Sequence, residues 1–195
     1  GAALKTIERA MENNHKDSDI TESNLLWWKA SIYDDMGDSD KALSTMQQAV
    51  KLARKQDKGN LMDMLETLAQ IHYDLKQYDE SDKVYKEMRS MDETKQLPMI
   101  GLARNLIERE KYDEALALLE DCKKYDADYY EIYRFQMRAY GGKKEYKKMI
   151  DAMVTLYEKS DDYDYLDVDV FKKDKKYSTA VIKQKIATEK ENLAW

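Results

Sequence analysis

MIGLARNLIEREKYDEALALLEDC, residues Met99 to Cys122, holds two apolar stripes separated by a polar turn. Met99, Leu102, Ala103 and Leu106 recur every three or four positions, the spacing that places side chains on one face of a helix. The polar run EREKYDE interrupts the pattern, and Ala115, Leu119 and Cys122 then restart it with the same period. The stretch therefore predicts two short helices joined by a tight turn. Neither stripe can be buried by a lone helix, so the pattern should be repeated by neighbours along the chain.

Three further stretches repeat it: MGDSDKALSTMQQAV, LKQYDESDKVYKEM and GKKEYKKMIDAMVTL. Aligning Ser39, Tyr78, Tyr112 and Tyr146 gives spacings of 39, 34 and 34 residues. Upstream of each turn lies a first helix, marked by Leu26, Ala30 and Tyr33, by Leu65, Leu68, Ala69 and His72, by Met99 to Leu106, and by Tyr133, Met137 and Tyr140. The second helices carry Ala42, Met46 and Ala49, then Ser81, Tyr85 and Met88, then Ala115, Leu119 and Cys122, then Met149, Met153 and Leu156. Ala30, Ala69 and Ala103 are small enough to let helix axes approach closely, and the larger residues beside them fill the groove so formed. Pro98 falls in the first turn of a helix, where its missing N–H costs nothing. The extra residues between the first two repeats include KQDKG, read as a polar turn or a helix extension and not as a domain boundary.

A helix, turn, helix unit with a period of about 34 residues and this order of large and small side chains resembles the tetratricopeptide repeat. The resemblance spans residues 24–160. It implies an all-α fold, a right-handed α-solenoid of antiparallel helix pairs, and a concave groove lined by the first helix of each pair. This sequence departs from the family pattern at Lys29, where leucine is usual, at Ser81 in place of alanine, and at Gln136 and Met137 in the fourth repeat.

Residues 1–15, with Leu4, Ile7, Ala10 and Met11 on one stripe, read as the second helix of a partial repeat. Residues 161–176 form an acidic, tyrosine-rich connection that includes DDYDYLDVDVF, and 177–195 a C-terminal helix in which Val181, Ile182 and Ile186 would cap the last apolar face. The headless first helix and the polar tail suggest a segment of a larger protein. Its arrangement loosely resembles the repeat-containing sensor region of bacterial membrane-tethered signalling regulators, which would place it in the cytoplasm or the periplasm.

The charge balance narrows the partners. The net charge is -6, which disfavours a nucleic-acid partner, because counterion release needs a cationic surface; a local basic patch stays open. No apolar run approaches the length of a membrane span, so no direct membrane insertion is expected. Six glycines and one proline leave few breaks, which favours long helices over many short strands. A protein or peptide remains the expected partner.

Adjacent Trp27 and Trp28 sharpen that expectation. At about 100° per residue, Leu26, Ala30 and Tyr33 share one stripe, while Trp27 lies about 100° and Trp28 about 200° away from Leu26. Both are off the packed stripe and flank the direction that the resemblance assigns to the groove. The reading is that one packs against residues 2–14 and the other lines the groove. The same geometry assigns Asp34, Asp63, Glu66, Tyr73 and Asp74 to an acidic half of the groove. Arg104, Glu108, Arg134 and Arg138 form a mostly basic half. Such a surface could orient an extended peptide by charge; the alternative is ordinary solvated helix faces. The basic, asparagine-containing clamp used by some family members for C-terminal carboxylates is not matched, because Trp27 and Ser31 stand at its first positions.

No catalytic constellation emerges, and neither a cofactor nor a metal is expected. His72 reads as a core residue with a hydrogen-bond partner, His15 lies in a polar turn, and Cys122 occupies a small-residue slot of a second helix. No spacing among them suits a metal. Asp162, Asp164, Asp167 and Asp169 supply hard oxygens but lack the glycine and terminal glutamate of a calcium loop.

Overall fold

The structure, a computed structural model, describes residues 2–13, 20–56 and 59–160. Among them are nine α-helices and no strand: α1 (Ala2–Glu12), α2 (Glu22–Asp35), α3 (Ser39–Gln56), α4 (Leu61–Asp74), α5 (Tyr78–Met91), α6 (Gln96–Glu108), α7 (Tyr112–Cys122), α8 (Glu131–Gly142) and α9 (Tyr146–Ser160). The acidic connection, the C-terminal helix and His15 lie outside the described residues. Internal contacts group the chain into two units, one ending at Asn105 and the other beginning at Leu106.

The same turn leads out of α2, α4, α6 and α8. Gly37, Lys76, Glu110 and Lys144 each adopt a left-handed conformation, with φ of 74°, 58°, 59° and 61°. In each case that residue's N–H bonds the carbonyl three positions back and the next N–H bonds the carbonyl five positions back, as in Lys76 to Tyr73 and Gln77 to His72, both 2.8 Å. This double bond satisfies carbonyls that a helix end would otherwise leave open. It also reverses the chain within three residues, so each second helix returns promptly.

In the first unit α2 packs on α3, α3 on α4, and α4 on α5, while α1 lies against α2. Its core contains Ala30, Ala42, Met46, Leu65, Leu68, Ala69, Met88, Met99 and Ala103, all buried. In the second unit α7 packs on α8 and α8 on α9, around buried Leu119, Cys122, Ile132, Phe135, Met137, Met149, Met153 and Leu156. The small and large positions read from the four second helices are all buried. In α2 the packed stripe is displaced: Ser23, Leu25 and Ala30 are buried, whereas Leu26 and Tyr33 are only half-buried. This helix has neighbours in both α1 and α3, so its buried surface is not the single stripe that a one-sided helix would show.

Of the departures from the repeat pattern, Met137 is buried in the apolar core, and Ser81, Lys29 and Gln136 are each accommodated by a polar contact. Ser81, fully buried, donates from Oγ to the Ala69 carbonyl at 2.9 Å, so its hydroxyl is satisfied where alanine is usual. Lys29 reaches Glu8 of α1 at 3.2 Å. Gln136 is 4% exposed and donates to Glu120 Oε1 at 2.5 Å. His72 is buried with Nδ1 2.7 Å from Gln77 Oε1. Lys55 and Gln56, from KQDKG, continue α3, which at 18 residues outlasts the 14-residue α5 by about one turn.

Candidate functional site

In the first unit, α2, α4 and α6 supply the residues assigned to the groove. Trp27 and Asp34 lie on α2, Asp63, Glu66, Tyr73 and Asp74 on α4, and Arg104 on α6. Trp27 is half-buried, and its indole Nε1 donates to Thr67 Oγ1 on α4 at 3.0 Å. Thr67 in turn donates to the Asp63 carbonyl at 3.0 Å, so one hydroxyl both fixes the indole and closes onto its own helix. Asn60 Nδ2 donates to Asn24 Oδ1 at 3.0 Å, tying the start of α4 to the start of α2. Trp28, by contrast, is 44% exposed.

Arg104 joins α6 to α4 and α5. Its Nη1 donates to Gln70 Oε1 at 2.7 Å and its Nη2 to the Tyr85 hydroxyl at 3.0 Å. The guanidinium carbon lies 3.8 Å from the centroid of the Tyr73 ring, a stacked cation–π arrangement. Gln70, oriented by that bond, donates from Nε2 to both carboxylate oxygens of Asp74 at 2.9 Å. Burial pushes the Tyr85 hydroxyl's pKa up, with Arg104 acting against the rise.

The acidic groups sense one another across helices. Asp34 is held above the usual aspartate range first by burial, then by Asp74 and Asp35. Glu66 is raised by burial and by Asp63, with Arg104 opposing. Ion pairs described in this unit lie elsewhere: Lys29 with Glu8, Lys41 with Asp38, Arg54 with Glu87 and Lys83 with Glu80. Folding thus gathers like charges here against the guanidinium of Arg104, and the raised pKa values of Asp34 and Glu66 mark that crowding as unfavourable for stability.

In the mostly basic half expected from Arg104, Glu108, Arg134 and Arg138, each arginine has a polar partner within the fold. Arg104 is engaged as above. In the second unit Arg138 Nη2 lies 2.6 Å from Glu108 Oε1 and Arg134 Nη1 lies 3.0 Å from Glu131 Oε1. Glu108, counted with the basic residues, neutralises one of them. Glu131 stands one helical turn before Arg134 on α8, within ion-pair reach, whereas Glu108 and Arg138 meet between α6 and α8.

The second unit also holds an open cleft of about 250 Å³ between α7, α8 and α9, lined by residues that include Tyr133, Gln136, Tyr140 and Asp151. Its lysines are engaged: Lys123 with Glu120 at 2.8 Å and Lys148 with Glu145 at 2.7 Å. Among the described residues no group of three His, Cys, Asp or Glu side chains is placed to hold a metal ion, and no helix is long and apolar enough to cross a membrane.

Sequence reasoning missed Gln70, Thr67 and Tyr85. Gln70 was within reach of the repeat register, since it precedes Arg104 by 34 residues, one repeat. Thr67 carried no such signal; only the folded distance to Trp27 shows its part.

The geometry defines a helical-repeat protein, with a turn of fixed form inside each pair. The tetratricopeptide repeat family model matches residues 23–56 and 63–93, the helix pairs α2–α3 and α4–α5. Solved structures share the fold. A structure of MamA from Desulfovibrio magneticus RS-1, residue 41 to its end, is 18% identical, covers 90% of this chain and 98% of that chain, and has a TM-score of 0.61. A double mutant of MamA RS-1 is 16% identical over the same shares, with a TM-score of 0.62. YrrB, described as a tetratricopeptide repeat protein with an unusual peptide-binding site, is 13% identical, covers 84% of this chain and 83% of that chain, and has a TM-score of 0.61. No curated protein sequence matches significantly.

Proposed function

We propose that this chain is a non-enzymatic scaffold that binds a protein or peptide on the face shared by α2, α4 and α6. The observation that carries this reading is the pre-set arrangement of that face. Trp27 is fixed by Thr67, Gln70 by Arg104, and Asp74 by Gln70, so aromatic and charged groups from three successive repeats are held before any partner arrives. Side chains already ordered lose less freedom on binding, which favours affinity for a given contact area. Trp and Tyr are also the residue types that most often carry binding energy at interfaces. The peptide-binding site described for YrrB, a structural neighbour, supports the same use of the fold.

The test is selection from a random-peptide display library against the wild-type chain, followed by titration of the selected peptides. The reading expects saturable binding that is lost in Asp34→Arg, which reverses a charge at an exposed position of the face. An absence of saturable peptides would instead favour a structural spacer.

A further inference from the structure

We infer that the partner of this face is a peptide segment of net positive charge, held by the carboxylates of α2 and α4 with Trp27 and Tyr73 as its apolar contacts. The inference rests on the reading of the face as a peptide site and adds the chemistry of the occupant. Charge complementarity carries it. Asp34 and Asp35 on α2 and Asp63, Glu66 and Asp74 on α4 stand against one guanidinium, that of Arg104. That guanidinium is committed to Gln70 Oε1, the Tyr85 hydroxyl and the Tyr73 ring, and its Nε is buried without a hydrogen-bond partner. It therefore serves as an internal strut and offers an incoming anion little.

Asp34 and Asp74 come from successive first helices and repel one another across the face. A lysine or arginine side chain placed between them would replace that repulsion with two attractions. Gln70 holds the Asp74 carboxylate by both oxygens, so the acceptor is oriented before the cation arrives. An acidic peptide, a phosphorylated peptide or a free C-terminal carboxylate would meet like charge, which disfavours it as the occupant. Nucleic acid is disfavoured for the same reason.

The experiment titrates the whole chain with three synthetic peptides of equal length: one rich in arginine and lysine, its glutamate counterpart, and a serine-rich neutral one. Binding is read by calorimetry at low and high salt. Two charge-matched variants accompany the wild type. Asp34→Asn with Asp74→Asn removes charge from the face. Asp40→Asn with Glu93→Gln removes the same charge at exposed positions of α3 and the segment after α5. The inference expects 1:1 saturable binding of the cationic peptide, at least tenfold weaker in the face variant, nearly unchanged in the other, and weakened by salt. Equal weakening in both variants would show general attraction to an acidic protein and overturn it. Tighter binding of the glutamate or neutral peptide would overturn the charge assignment while leaving peptide binding intact. Absence of binding by all three peptides, together with no peptide from the display selection, would overturn both readings.

Discussion

The guanidinium of Arg104 stacks 3.8 Å from the Tyr73 ring centroid while its two terminal nitrogens bond Gln70 and Tyr85. Three contacts from one planar group make this the residue for which lysine is least equivalent. Arg104→Lys keeps the charge but cannot stack and bond both partners at once. It should lower stability by about 1–2 kcal/mol, measured as a shifted denaturant midpoint with unchanged slope. An unchanged midpoint would show that the strut contributes nothing.

The two tryptophans should separate cleanly. Trp28→Ala, at an exposed position, should leave the melting temperature nearly unchanged. Trp27→Phe removes the bond to Thr67 and should cost about 0.5–1.5 kcal/mol. Thermal unfolding followed by circular dichroism decides it; a larger loss at Trp28 than at Trp27 would reverse the assignment.

Gly101 permits the close approach of α6 to Tyr85. A Cβ at that position would stand 2.2 Å from Tyr85 Cζ, and Tyr85 is buried with its hydroxyl held by Arg104, so making room means displacing a packed, hydrogen-bonded ring. Gly101→Ala should therefore destabilise the chain by about 1–3 kcal/mol despite alanine's better helix propensity. Gly101→Ala combined with Tyr85→Leu should recover part of that loss relative to Tyr85→Leu alone. Chemical denaturation of the four variants closes the cycle.

At the left-handed turns the direction reverses. Lys76 and Glu110 are exposed and hold φ near 60°, a conformation that costs a side-chain-bearing residue roughly 1–2 kcal/mol. Glycine removes that strain at an entropic cost of roughly 0.5–1 kcal/mol. Lys76→Gly and Glu110→Gly should each raise stability by about 0.5 kcal/mol, whereas Gly37→Ala should lower it. Melting temperatures of the three variants provide the check.

Glu66 supplies a pH test. Its folded pKa lies above the unfolded value, chiefly through burial and then Asp63, so its protonated form favours folding and its charged form opposes it. The associated stability is present below the unfolded value near 4.5 and is lost as pH rises through the shifted folded value. Glu66→Gln should therefore be more stable than wild type at pH 7, with the advantage shrinking as pH falls through the range above 4.5. A variant less stable than wild type at pH 7 would mean that attraction to Arg104 outweighs burial and Asp63.

The repeat was legible because second helices bury one narrow stripe: Ala42, Met46 and Ala49 share a spacing and all are fully buried. On α2 the same reasoning selected Leu26, whereas Leu25 is the buried leucine, because a helix with neighbours in both α1 and α3 does not bury one single stripe. In the site, Gln70 and Arg104 occupy corresponding positions, yet periodicity cannot reveal that one bonds the other. Formal charge likewise marked Arg134 and Arg138 as basic surface; the structure adds the carboxylates of Glu131 and Glu108 that occupy them.

Residue-by-residue mapping of the cationic peptide by backbone NMR tests the central claim most directly. The account predicts saturable shifts concentrated in residues 24–35 and 63–74, including the Trp27 indole N–H, with α3 and α5 little affected. Shifts centred on α3 and α5, or a response that never saturates, would contradict it.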